Sequence, residues 1–193
     1  MVLTPSNMVA LGTEMPTFSL RNVLNGEVVD SDSTSQEKLT LVMFICAHCP
    51  YVVHVEKELA LFANDYKDKL EVIAISSNDA IAYPQDSVEN LKKQAEKNGF
   101  NFPYCFDEDQ SVAKAFNAQC TPDFFLFDEG NKLIYRGQFD QSRPGNDVAC
   151  NGESLRAAVD LFLEKKEIIK HQFPSIGCNI KWINNIRWGS NES

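Results

Sequence analysis

A run of seven uncharged residues, Leu39 to Ile45, leads directly into Cys46-Ala47-His48-Cys49-Pro50. The run is rich in apolar and β-branched side chains, as expected of a strand buried on both faces. After it, Val52, Val55, Leu59, Phe62 and Tyr66 recur at helical spacing with charged residues between them, so a helix is expected over roughly residues 49 to 67. The junction therefore holds two cysteines separated by two residues. A dithiol placed where a strand gives way to a helix fits thiol–disulfide chemistry.

The rest of the chain reads as a frame for that junction. Phe18, Leu20 and Val28 around Asn25-Gly26 predict a short hairpin. Leu70 to Ser76 is a second apolar strand, and strand–helix–strand at this spacing predicts a parallel βαβ unit. Asp86-Ser87-Val88-Glu89 reads as the capped start of a helix that closes at Asn98-Gly99. A strand is expected over Phe100 to Phe106, and a short helix over Asp109 to Asn117. Thr121-Pro122 then precedes a hairpin, Phe124 to Phe127 and Leu133 to Phe139, which joins the sheet antiparallel. An amphipathic helix is expected over about 152 to 166. The domain boundaries that follow are a lead at 1–11, one α/β domain at 12–166, and a tail at 167–193 packed on or extending from the domain. Trp182 and Trp188 lie in that tail, which has no periodicity.

Composition narrows the classes of partner. The net charge is −9 and there is no block of lysines or arginines, which argues against nucleic acid and anionic membranes. No apolar stretch approaches the roughly 20 residues of a membrane span. Met1 to Ala10 lacks a positive flank and apolar core, so a cytoplasmic setting is expected. Six cysteines in 193 residues are too sparse for a disulfide-stapled scaffold. One close pair is then expected to be redox-active or metal-binding rather than structural. The metal half-site reading fails because a structural zinc site wants four ligands, and haem attachment fails because Pro50 stands where a histidine is needed.

Cys-x-x-Cys spacing lets the first thiol sit at the helix N-terminus and the second one turn inside. The helix dipole lowers the pKa of the first, and the second can attack the resulting mixed disulfide. On that basis Cys46 is the expected nucleophile and Cys49 the resolving thiol. His48 could add positive charge or a hydrogen bond to the Cys46 thiolate, or simply face solvent. His54 and His171 read as surface or packed histidines. Cys105 reads as strand core and Cys150 as an exposed loop thiol. Cys120 and Cys178 read as bystanders, though either could reach the dithiol.

Taken together, the hairpin, strand, Cys46-x-x-Cys49, helix, strand, Thr121-Pro122, hairpin and final helix resemble the thioredoxin superfamily over about residues 12–166. The resemblance implies a thioredoxin-like α/β fold with a central mixed β-sheet flanked by helices. It also implies a cis Pro122, with the Thr121 backbone lining a groove for a substrate strand. Within the superfamily the chain is similar to the peroxiredoxin-like branch, the alkyl hydroperoxide reductase/thiol-specific antioxidant group. That likeness rests on Gly12-x-x-Met15-Pro16-x-Phe18, on the added elements between 80 and 106, and on Cys49-Pro50. The branch's Pro-x-x-x-Thr-x-x-Cys motif is broken here, with Val42 at the proline position and Cys46 at the threonine position. Arg136 and Arg143 are candidates for its peroxide-orienting arginine, although both read more simply as solvated.

The expected function is thiol–disulfide oxidoreductase. The alternatives are a thiol peroxidase with Cys49 as the peroxidatic residue, and a non-enzymatic redox-sensing module. The thiols carry the electrons, so no organic cofactor and no metal is expected. The expected partners are a disulfide-containing protein or a small thiol or peroxide, and an electron donor that the sequence does not name.

Overall fold

Leu39 to Phe44 alternates between two cores, and this alternation sets the layers of the molecule. Leu39, Leu41 and Met43 join one buried cluster while Val42 and Phe44 join the other. In the computed structural model, which describes residues 3–183, the elements in chain order are β1 (Leu3–Pro5), β2 (Ser19–Arg21), β3 (Val28–Asp30), β4 (Leu39–Phe44), α1 (Pro50–Asp65), β5 (Leu70–Ser76), α2 (Val88–Asn98), β6 (Tyr104–Phe106), α3 (Ser111–Ala115), β7 (Cys120–Thr121), β8 (Asp123–Phe127), β9 (Leu133–Gly137), α4 (Glu153–Lys165) and β10 (Ile176–Asn179). Trp188 lies outside the described residues.

The main sheet has the order β6-β5-β4-β8-β9. β4 pairs parallel with β5 and antiparallel with β8, so the sheet is mixed, with β4 at its centre. Every residue of β4 is buried. Fully burying an aliphatic or aromatic side chain contributes about 1.5–3 kcal/mol, so this strand is an anchor for whatever follows it. α1 packs Val52, Val55, Leu59 and Phe62 onto one face, together with Leu155, Val159 and Phe162 of α4. Val112, Ala113, Phe116 and Met15 close the other face. Among the described residues, no helix is long and apolar enough to cross a membrane.

The hairpin forms as expected, with β2 antiparallel to β3. Gly26 takes a positive φ of 78° at its turn, which glycine adopts without steric cost. The strand expected over Phe100 to Phe106 is shorter. Only its last three residues pair with β5, while Phe100 and Phe102 stack on each other, ring centroids 4.7 Å apart. The cap of α2 is Ser87, whose side chain accepts from the Asn90 N–H. Asp86 turns inward instead, and is fully buried.

The chain ends add strands that the sequence pattern did not show. In the lead, Leu3–Pro5 forms β1, and the tail contributes β10. These build a second sheet of order β1-β10-β7. β10 pairs antiparallel on both sides, with Cys178 opposite Leu3 and opposite Thr121. No periodicity signals so short a strand, because its register comes from partners distant in the sequence, β1 and β7. The pairing needs a bare backbone at Gly177, where an added Cβ would fall on the Thr121 carbonyl. Gly177→Ala is therefore expected to destabilise the protein by about 1–3 kcal/mol, read as a lower urea midpoint. An unchanged midpoint would mean that β10 does not lie against Thr121.

Candidate active site

α1 begins at Pro50, with Cys49 as its N-cap. Proline is favoured at the first helical position because it has no N–H to leave unpaired. The Cys49 carbonyl accepts the Val52 and Val53 N–H groups at 2.9 Å each. The helix's positive end therefore faces Cys49, whereas Cys46 lies in the preceding loop. This reverses the expected placement, in which Cys46 occupied the helix start. Pro50 is what fixes it, since the helix starts there rather than within the Cys-x-x-Cys loop.

The loop between the thiols is held by Asp86. One carboxylate oxygen accepts the Ala47 and His48 backbone N–H groups, at 2.9 and 3.1 Å. The other accepts from the Asn78 side chain at 2.7 Å and pairs with His48 Nδ1 at 2.6 Å. His48 is thus turned toward Asp86, its side chain 22% exposed and its ring stacked 6.1 Å from Tyr83. Its hydrogen bond goes to Asp86, so of the two readings left open it neither bonds the Cys46 thiolate nor simply faces solvent. Gln94 adds a second tie, donating to the Cys46 carbonyl at 3.2 Å and to buried Glu56 at 3.1 Å. Sequence reading missed Asp86 because it looks like a helix-capping residue. Its only local hint is that Ser87 can cap α2 equally well.

Three sulfurs meet at Cys49. Cys49 Sγ lies 2.8 Å from Cys178 Sγ and 3.2 Å from the Thr121 carbonyl. Cys46 Sγ is 3.4 Å from Thr121 Oγ1. Cys46, Cys49 and Cys178 are all buried. Hydrogen bonds from the Cys178 thiol, and next from Cys46, hold the Cys49 thiol well below the ordinary range. Cys46 is pushed well above it by its bond to Cys49, by burial and by the Asp86 charge. Cys178 is pushed up chiefly by its bond to Cys49. Of the three thiols Cys49 is the one held toward the thiolate, and in its protonated form it donates to the Thr121 carbonyl.

The Thr121–Pro122 bond is cis, and Ser175 Oγ donates to the Pro122 carbonyl at 2.6 Å. The edge of Thr121 expected to receive a substrate strand is occupied by β10. The surface nearest the buried thiols carries His48, Val53 and the Tyr83 ring stacked on His48. Beside it lies a shallow pocket of about 340 Å³ lined by residues that include Ala47, His48, Gln85, Asn90 and Gln94. A larger cavity, about 920 Å³ beneath the β2–β3 hairpin, contains no cysteine.

The other singled-out residues stand apart. Arg136 is fully buried rather than solvated, paired with Asp123 at 3.1 Å and set over the Phe125 ring. Burial lifts the Asp123 carboxyl to about 7 even against the Arg136 charge. Arg143 binds the carbonyls of Asp140 and Ser142. Cys105 is strand core, and burial raises its thiol to about 12. Cys120 is fully buried in β7, and Cys150 is half-buried rather than exposed. His54 meets Ser142 at 3.0 Å, and His171 is exposed. Cys46, His48 and Asp86 lie close enough to share a metal ion, but both Asp86 oxygens already serve the loop.

The Redoxin family model matches residues 10–150. The chain belongs to the Redoxin family. This family sits in the thioredoxin superfamily with the alkyl hydroperoxide reductase/thiol-specific antioxidant proteins, in line with the resemblance. A Bacillus subtilis protein named thiol-disulfide oxidoreductase YkuV is 26% identical over 112 residues, 57% of this chain and 72% of its own. An uncharacterized conserved protein from Geobacillus kaustophilus superposes with a TM-score of 0.92 at 51% identity, over 95% of this chain and 97% of that one. The thioredoxin domain of a Bacteroides vulgatus thiol-disulfide oxidoreductase shares the fold, with a TM-score of 0.59 at 20% identity, over 79% of this chain and 99% of that one. The thioredoxin-like α/β fold, a central mixed sheet flanked by helices, is established.

Reduced protein is expected to show one thiolate absorbance near 240 nm that persists below pH 6, where ordinary thiols near pKa 8.5 are protonated. Cys49→Ser should remove it. A band that survives Cys49→Ser and vanishes with Cys46→Ser would assign the thiolate to the wrong residue.

Proposed function

We propose that this Redoxin-family chain is a thiol–disulfide oxidoreductase working through Cys46 and Cys49, with Cys49 as the attacking thiolate. The observation that carries this is the position of Cys49 as N-cap of α1, with Cys178 Sγ 2.8 Å from its sulfur. The thiolate is the reactive form. The Cys49 thiolate attacks one sulfur of a substrate disulfide, forming a Cys49–substrate bond, and the leaving sulfur takes up a proton. Cys46 then gives up its proton and attacks Cys49. A Cys46–Cys49 disulfide forms, and the second substrate thiol leaves reduced. A dithiol reductant restores the pair.

Asp86 acts as a positioning residue, since it fixes the loop that sets Cys46 against Cys49. The partly exposed His48–Tyr83 surface supports docking of a disulfide-bearing protein from that side, because β10 covers the Thr121 edge. Insulin reduction with dithiothreitol as donor tests the reading. Cys49→Ser is expected to bring turnover to the uncatalysed background, and Cys46→Ser to slow it strongly. Undiminished turnover in Cys49→Ser would contradict the assignment.

The same thiolate position favours one second reading, a thiol peroxidase with Cys49 as the peroxidatic sulfur. Peroxide would oxidise the thiolate to a sulfenic acid with release of water, and a neighbouring thiol would condense with it to a disulfide, releasing a second water. Against it, neither Arg136 nor Arg143 makes a hydrogen bond to a sulfur among the described residues. Oxidation by hydrogen peroxide no faster than that of free cysteine, measured by stopped flow, is the expected result.

A further inference from the structure

We infer that Cys178 is a third redox thiol, which exchanges with Cys49 to form a Cys49–Cys178 disulfide. β10 would serve as a built-in substrate strand. This rests on the Cys46/Cys49 reading above and extends it to a part of the chain beyond the residues that the family model matches, 10–150.

Three independent observations converge. First, Cys178 Sγ sits 2.8 Å from Cys49 Sγ although 129 positions separate them. Second, the backbone of Cys178 is paired antiparallel with Thr121, directly before the cis proline. An extended peptide that adds a strand to a sheet edge binds through its main chain and presents alternate side chains to the surface beneath it. β10 meets that description, and the side chain it presents beside Cys49 is a thiol. Third, the segment is fastened on both sides of Cys178. Ser175 N–H donates to Ser6 Oγ and Ser175 Oγ to the Pro122 carbonyl. Lys181 N–H donates to Asn78 Oδ1, and Asn78 Nδ2 donates to Asp86. Asn78 therefore ties the loop clamp of the dithiol to the segment that carries the third thiol.

The exchange step balances without an outside oxidant. Starting from the Cys46–Cys49 disulfide, the Cys178 thiolate attacks Cys49 Sγ. The Cys49–Cys178 bond forms, the Cys46–Cys49 bond breaks, and the proton lost by Cys178 passes to Cys46. One disulfide is present before and after. Cys46 is left as a thiol on the loop next to the His48 surface, and the oxidising equivalent moves to β10. The same attack on a Cys49–substrate mixed disulfide would release substrate without Cys46.

The test oxidises the full reduced chain with one equivalent of diamide, then quenches with acid, alkylates with iodoacetamide and maps linked peptides by mass spectrometry without reductant. Wild type is expected to yield both Cys46–Cys49 and Cys49–Cys178 peptides. Cys46→Ser is expected to yield Cys49–Cys178 alone, with near-complete loss of Cys178 alkylation, and Cys178→Ser to yield Cys46–Cys49 alone. Cys46→Ala repeats the arm if the serine variant loses its circular dichroism. A Cys46–Cys49 peptide with no Cys49–Cys178 peptide in wild type or in Cys46→Ser would overturn the third thiol and leave the exchange reading standing. Cys49–Cys178 alone in wild type would support the third thiol and contradict the Cys46/Cys49 pair. Neither peptide in wild type would overturn both.

Discussion

The antiparallel pairing of β10 with the Cys120–Thr121 strand governs the chemistry of this site more than any other contact. It covers the edge of the sheet beside the cis proline, seats Cys178 Sγ 2.8 Å from Cys49 Sγ, and depends on a glycine at 177 to bring the two backbones together. With that strand in place, the Cys178 thiol lies against the Cys49 sulfur. The lowered pKa follows from this hydrogen bonding and outweighs burial, which acts in the opposite direction. A buried thiolate is otherwise costly; here the second strand sheet supplies part of its solvation.

The other half of the site is built by charge and hydrogen bonding around Asp86. A fully buried carboxylate bonded to two backbone N–H groups, an amide and an imidazole is satisfied at both oxygens. It also raises the Cys46 thiol by its charge. The two cysteines of one short loop are thereby driven apart in acidity, Cys49 toward the thiolate and Cys46 toward the thiol. That is the division of labour an exchange reaction needs, with one sulfur ready to attack and its neighbour holding a proton until it resolves.

Local pattern made much of the fold legible. Charge-free β4, the spacing of Val52 to Phe62 and the Asn25-Gly26 turn each carry their structure in neighbouring residues, whereas the cis Pro122 came only from the family resemblance. The site was legible only as a Cys-x-x-Cys pair. Which cysteine faces the helix end depends on the single residue Pro50, which places the first helical position after Cys49. Asp86 was hidden because its partners on the dithiol loop, Ala47 and His48, lie 39 and 38 positions away and its neighbours Ser87 and Glu89 spell a helix cap. Cys178 was hidden for the same reason on a larger scale, since a four-residue strand whose partners are β1 and β7 leaves no periodic trace. Arg136 looked solvated because a lone arginine in a strand does not announce the buried Asp123 that pairs with it.

The reduction potential of the Cys46–Cys49 couple, from equilibration in glutathione buffers, tests the account most directly. Stabilising the Cys49 thiolate stabilises the reduced form, so the couple should be more oxidising than thioredoxin, above about −270 mV. A value below about −300 mV, where structural disulfides lie, would contradict a thiolate-driven exchange site.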